Sequence, residues 1–177
     1  MALLRLFFAQ DVDAHNLLRR STGLVWAMKE LPDLDRAPGG KPFFHSFPQF
    51  RFNLSHSGPY ALCALDHHPV GADVETVRPR RPFLPRKVLS PEELDWFQAR
   101  GSRWEDFYTL WTLKEAAVKY TGAGLDRPPR TIAVPLLDPG EHSALDGLTF
   151  ASYAGEGWRA ALCCRGPAPL MELVGDP

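Results

Sequence analysis

Residues 3–9 are almost entirely apolar, a short run that predicts a first, buried strand. The spacing then lengthens. Leu17, Leu24, Met28 and Leu31 recur at helical intervals behind Asp13, a good N-cap, and predict a helix to about Leu31. Pro32, Pro38, Gly39, Gly40, Pro42 and Pro48 punctuate a long loop. Phe50, Phe52 and Leu54 alternate with polar residues and predict a strand, Ser55-His56-Ser57-Gly58 a turn, and residues 60–65 a further strand. Val70, Ala72 and Val74 then alternate with Gly71, Asp73 and Glu75.

The pattern breaks at residues 78–87. Arg78, Arg80, Arg81, Arg86 and Lys87 are separated by Pro79, Pro82 and Pro85, with no acid among them. Such a stretch cannot pair as a central strand, and it marks the best internal boundary. Ser90-Pro91-Glu92-Glu93 opens a helix with a capping box and proline at the first helical position. Ser102-Arg103-Trp104-Glu105 has the same form and precedes a helix to about Tyr120, stopped by Gly122. Residues 132–134, 148–153 and 158–163 read as strands, with Gly155-Glu156-Gly157 turning the last hairpin. Each half is therefore a helix plus several strands. The expected fold is α+β, with an N-terminal half over 1–77 and a C-terminal half over 78–177.

With 177 residues, the chain suffices for one domain or two small packed ones. A net charge of −1 gives no global field that would select nucleic acid or a membrane, so any electrostatic argument must be local. The three cysteines, Cys63, Cys163 and Cys164, form neither a CxxC pair nor a disulfide framework, which suggests a reducing, cytoplasmic setting. The apolar run at the start is too short for a signal peptide, and no stretch reaches the ~20 apolar residues of a membrane span.

Three groups of residues suggest chemistry. Asp73 and Glu75 share one face of a strand, their Cβ atoms about 7 Å apart. Two like charges there call for a cation, and a hard ion such as Mg²⁺ takes oxygen ligands. A lone D-x-E is more often a solvated face, but here small neighbours at the end of an apolar strand leave room for a ligand. Glu115 and Lys119 lie one helical turn apart. A surface ion pair would explain them, except that Phe107, Leu110, Trp111, Leu113, Ala116, Ala117 and Val118 make that helix apolar nearly all round, and charges on a buried helix need a partner or a role. Finally, Asn53-Leu54-Ser55-His56-Ser57-Gly58 offers amides, hydroxyls and an imidazole that together suit a phosphate. Alone it would more often be a capped turn.

In this order and spacing the sequence resembles the 4′-phosphopantetheinyl transferases, and more closely the broad-specificity type that activates surfactin synthetase. Four motifs over roughly residues 38–125 carry the resemblance: Gly40-Lys41-Pro42, Asn53 to Ser57, Gly71-Ala72-Asp73-Val74-Glu75, and the W-x-x-K-E-x-x-x-K signature from Trp111 to Lys119. The resemblance implies that Asp73, Glu75 and Glu115 bind Mg²⁺ (or Mn²⁺) at the pyrophosphate of coenzyme A, the substrate. It implies that Lys119 contacts the phosphates, Ser55 and His56 hold the 3′-phosphate, and Lys41 lies near the adenine. Lys114 belongs to the signature and is placed among the nucleotide-binding residues. The implied architecture is pseudo-dimeric, two similar α+β halves in one monomer with the site in their cleft.

The implied reaction moves 4′-phosphopantetheine from coenzyme A to a serine of an apo acyl or peptidyl carrier protein, releasing 3′,5′-ADP. Such transfer needs mainly positioning and charge neutralisation. Glu115 or a water on the cation would accept the serine proton. The basic residues Arg78, Arg80 and Arg81 could dock an acidic carrier helix, or could simply be a solvated linker. Two rival readings remain at this level: an Mg²⁺-dependent nucleotide phosphohydrolase, and a non-catalytic module that binds coenzyme A or a carrier.

Overall fold

The computed structural model describes residues 4–124 and 126–175, so Leu3 of the first expected strand lies outside the described residues. Two four-stranded sheets form the centre. The first contains β1 (Arg5–Gln10), β4 (Arg51–Ser57), β5 (Tyr60–Asp66) and β10 (Met171–Leu173), in the order β10-β1-β5-β4. Its pairs are antiparallel except β10, which runs parallel to β1. The second contains β6 (Gly71–Thr76), β7 (His142–Leu145), β8 (Leu148–Gly155) and β9 (Trp158–Cys164), all antiparallel, in the order β6-β9-β8-β7. A small ribbon pairs β2 (Leu34–Arg36) with β3 (Pro42–Phe44). The helices are α1 (Ala14–Trp26), α2 (Leu84–Val88), α3 (Pro91–Ala99) and α4 (Trp104–Thr121).

Burial along the strands explains the layering. Leu6, Phe8, Leu62 and Ala64 of the first sheet pack against Ala72, Val74, Ala160 and Leu162 of the second. The alternate residues Phe7, Ala9, Cys63 and Leu65 pack outward with Leu17 and Leu18 of α1. On the far side, Leu110, Leu113 and Ala116 of α4 cover Phe150, Ala161 and Cys163. The order is thus helix, sheet, sheet, helix. A strand buried on both faces carries no polar alternation, which is why residues 6–9 of β1 read as one apolar run. No helix among the described residues is long and apolar enough to cross a membrane.

Several local expectations are corrected. Helix α1 ends at Trp26 rather than about Leu31, because Ala27 turns into the left-handed region (φ 53°) and its amide returns to the Thr22 carbonyl. Leu24, expected on the core stripe, is 68% exposed. Strand β4 runs on through Ser55-His56-Ser57, and the turn falls beyond it. The Ser90–Glu93 capping box forms in full. The one expected at Ser102 does not: Ser102 takes φ 55° and Arg103 is the N-cap, its guanidinium on Asp106 at 2.8 and 3.1 Å. Residues 132–134 follow a 3-10 turn at Pro129–Thr131 as loop rather than strand, with Ile132 and Val134 buried and Ala133 exposed. Within the basic stretch, α2 forms because Pro85 and Val88 are buried beneath it. Sequence pattern did not reveal β2, β3, β7 or β10, three of which have only three residues.

Candidate active site

The site lies where an edge of one sheet meets an edge of the other. Strands β4 and β6 share no backbone ladder. Side chains of β4 reach the β6 amides instead: Asn53 Oδ1 accepts from Ala72 N at 2.7 Å, Ser55 Oγ from Val74 N at 3.2 Å, and Ser57 Oγ from Thr76 N at 3.0 Å. Alternation on both strands makes this possible. The three contacts satisfy edge amides that would otherwise need water.

Alternation also divides the residues of β6. Ala72 and Val74 enter the inter-sheet core, while Asp73 and Glu75 face α4. Gly71 permits the close approach of that helix, since a Cβ there would lie 2.0 Å from the Ala116 carbonyl oxygen.

Asp73, Glu75, Glu115 and Lys119 meet in this space. Lys119 Nζ donates to Asp73 Oδ1 at 2.7 Å and to Ser55 Oγ at 3.0 Å. Ser55 Oγ itself donates to Asp73 Oδ1 at 2.8 Å. The second oxygen, Asp73 Oδ2, is buried without a hydrogen-bond partner. Burial pushes the Asp73 carboxyl up to about 6, against the pull of Lys119. Burial, followed by the charge of Asp73, raises Glu115 to about 7, with Glu75 adding to the rise and Lys119 opposing it. Glu75 accepts from Ser57 Oγ at 2.9 Å and faces Trp111 Nε1 at 3.4 Å.

Three crowded carboxylates and an orphaned, buried oxygen have the donor chemistry of a hard divalent cation site. As they stand, no three His, Cys, Asp or Glu side chains among the described residues close into a finished metal cage. Lys119 supplies the positive charge at Asp73 in this arrangement.

The other residues singled out from sequence are placed unevenly. Lys41 reaches the seam, where Nζ donates to the Val70 and Lys119 carbonyls at 2.7 Å each, and burial lowers it to about 8. It lines a cavity of about 240 Å³ with Gly39, Leu54, Val118 and Lys119. His56 is exposed on the face of β4 opposite Ser55. Lys114 lies apart from the group. Its side chain is 1% exposed, and Nζ is held by Glu93 at 2.8 Å and by the carbonyls of Pro129 at 3.0 Å and Ile132 at 2.7 Å. That ammonium has no proton left for a nucleotide.

Asn53, Ser57 and Gly71 gained individual roles only from the structure. The signal for the first two was there: small polar side chains at i, i+2 and i+4 of one strand.

A family model described as the 4′-phosphopantetheinyl transferase superfamily matches residues 69–163, over half of the chain, from before β6 to the last but one residue of β9. The chain belongs to this superfamily. Its relatives include a 4′-phosphopantetheinyl transferase of Bacillus subtilis, 37% identical over 106 residues, 59% of this chain and 47% of that protein. Psf-1, a 4′-phosphopantetheinyl transferase of Bacillus pumilus, is 36% identical over 144 residues, 76% of this chain and 61% of the relative. The transferase AcpT of Salmonella typhimurium is 38% identical over 101 residues, 54% of this chain and 53% of AcpT. The chain spans about half the length of the curated relatives it matches. The superfamily match includes Asp73, Glu75, Glu115 and Lys119 but begins after Lys41, Ser55 and His56.

Proposed function

We propose that this protein transfers the 4′-phosphopantetheine arm of coenzyme A to a serine of an apo acyl or peptidyl carrier protein. The observation that carries the proposal is the seam itself: Asp73, Glu75 and Glu115 crowd their charges together beside Lys119. In this reading the three carboxylates hold Mg²⁺, with Mn²⁺ able to replace it because both favour carboxylate oxygen. The ion neutralises charge on the pyrophosphate. Lys119, 28% exposed and lining the cavity, turns from Asp73 to the phosphates. Lys41 stands on the same cavity toward the adenine. Of the two residues expected at the 3′-phosphate, exposed His56 keeps that role, while Ser55, on the opposite face of β4 with its proton on Asp73, serves the carboxylate.

The carrier serine oxygen forms a bond to the β-phosphorus of coenzyme A, the pyrophosphate P–O bond breaks, and 3′,5′-ADP leaves. Glu115 is the candidate to take the serine proton, as a carboxylate standing in the space shared with Asp73 and Lys119. Arg78, Arg80 and Arg81 are exposed directly after β6 and dock an acidic face of the carrier. Lys114 contributes by anchoring α4.

The proposed architecture is a pseudo-dimeric monomer with halves 1–77 and 78–177 and the site in their cleft. Its support is two four-stranded sheets, each with a covering helix, that trade one strand: β6 joins the second sheet and β10 the first. A reducing, cytoplasmic setting suits three buried free thiols.

The deciding experiment incubates the protein with coenzyme A, Mg²⁺ and a panel of apo carriers, then weighs the carriers by intact mass spectrometry. A gain of one phosphopantetheine, lost with Asp73→Ala, is the expected result. Coenzyme A consumed with no carrier modified would indicate the hydrolase, and neither change would indicate a binding module.

A further inference from the structure

Two serines grip the two carboxylates of β6 in the same way. Ser55 Oγ donates to Asp73 Oδ1 at 2.8 Å and accepts from Val74 N at 3.2 Å. Ser57 Oγ donates to Glu75 Oε2 at 2.9 Å and accepts from Thr76 N at 3.0 Å. Each hydroxyl therefore holds the carboxylate of one residue and the amide of the next. A hydroxyl has a single proton. With the neighbouring amide on its lone pair, that proton is aimed at the carboxylate.

Ser57 is itself held from behind. Its carbonyl accepts from Thr76 Oγ1 at 3.0 Å. Gly58, at φ 56°, lets Thr76 come this near, since a Cβ on Gly58 would lie 2.8 Å from Thr76 Oγ1. Among the described residues the other contact on the Glu75 carboxylate is Trp111 Nε1, which faces Oε1 at 3.4 Å, longer than a good N–H···O bond. The orientation of Glu75 is thus set chiefly by Ser57.

We propose that Ser57 is a positioning residue for the cation site: by fixing Oε2 it aims Glu75 Oε1 into the space shared with Asp73 and Glu115, resting on the cation site proposed above. Ser57 acts through Glu75 and does not touch the ion. Partners of this outer kind typically change metal affinity by about 10–100-fold, and Ser57→Ala is expected at the lower end.

The test is a Mn²⁺ titration without nucleotide, following the electron paramagnetic resonance signal of free Mn²⁺. Wild type is compared with Ser57→Ala, Ser57→Thr, Glu75→Gln and the Ser57→Ala/Glu75→Gln double variant, each checked for folding by thermal melting. Ser57→Ala should weaken Mn²⁺ about tenfold, and Ser57→Thr, which keeps the hydroxyl, should restore it. In the Glu75→Gln background Ser57→Ala should change nothing further, because the path through Glu75 is already cut. An equal loss in that background would mean that Ser57 merely staples the strands and would overturn the proposal, as would unchanged affinity in Ser57→Ala. Should the alanine variant not fold, Ser57→Cys keeps the shape and weakens the hydrogen bond, and wild-type affinity there is equally fatal. A wild-type protein that takes up no Mn²⁺ overturns the cation site and this role with it, whereas wild-type uptake with an indifferent Ser57 overturns this role alone.

Discussion

Gly71 lies directly beneath Tyr120: a Cβ at residue 71 would stand 2.4 Å from the Tyr120 amide nitrogen and 2.0 Å from the Ala116 carbonyl oxygen. Both obstacles are helix backbone, which cannot swing aside like a side chain. Gly71→Ala should therefore push α4 outward and cost about 1–3 kcal/mol, as overpacking usually does. Glu115 and Lys119 ride on that helix, so carrier modification should fall more steeply than stability. Urea unfolding and the mass assay on the same sample would check this, and wild-type values in both would show that the helix has room.

Lys41 gives the protein a predictable alkaline signature. Burial lowers its ammonium to about 8 from 10.5. Between those values the unfolded chain binds more protons than the folded one, so stability contributed at this site rises with pH. Below pH 8 the full cost of the buried charge is present. The unfolding free energy of wild type relative to Lys41→Met should therefore move in favour of wild type by about 1–3 kcal/mol from pH 8 to 10.5. Denaturant titrations of both proteins across this range would show it, and a flat difference would contradict it.

Lys114 and Glu93 form a buried ion pair, with side chains 1% and 5% exposed. Removing one partner strands the other charge, and Lys114→Met should cost about 3–5 kcal/mol. The double variant Lys114→Met/Glu93→Leu should recover much of that loss. If Lys114 instead bound the nucleotide, the single variant would show an elevated coenzyme A KM at a temperature where it is still folded.

Glu115 should separate stability from metal response. Its carboxyl is raised to about 7 by burial and by Asp73 and Glu75, so at pH 8 the metal-free protein bears the full crowding of three carboxylates. Glu115→Gln relieves it. Metal-free Glu115→Gln should melt a few degrees above wild type, consistent with ~1 kcal/mol. Mg²⁺ should raise the wild-type midpoint and EDTA reverse the rise, whereas the variant should respond weakly to both. An equal Mg²⁺ response in the two proteins would remove Glu115 from the cation site.

Neutralising Arg78, Arg80 and Arg81 together should raise the carrier KM by about tenfold at low salt and leave the coenzyme A KM unchanged, because exposed charges act mainly on encounter. An unchanged carrier KM would make the stretch a solvated linker.

Much of this was legible in the sequence, for identifiable reasons. Helix α4 announced itself through its all-round apolarity and Gly122, and β6 through its strict alternation. The spacing of Asp73 and Glu75 on β6, and of Glu115 and Lys119 on α4, already put each pair on one face. What the sequence could not show was how β6 and α4 face each other, which depends on the missing side chain of Gly71. The turn expected at Ser55-His56-Ser57 was misread because polar residues in a row suggest exposure. Ser55 and Ser57 are polar because they serve an adjacent edge strand, a need that becomes visible only when the two sheets are brought together. Lys114 was grouped with the site by its place in a motif, yet it sits on α4 between Leu113 and Glu115 and so points elsewhere, toward Glu93 and the loop after α4.

The seam of Asn53, Ser55 and Ser57 against β6 bears on how such a site can diversify. A backbone ladder is the same whatever the residues that form it, but this seam is written in side chains. Each rung is a single codon. Substitution at residues 53, 55 or 57 can loosen or re-aim one point of the seam without changing which carboxylates the chain carries, so the strength with which the two sheets clasp each other is open to gradual, heritable adjustment.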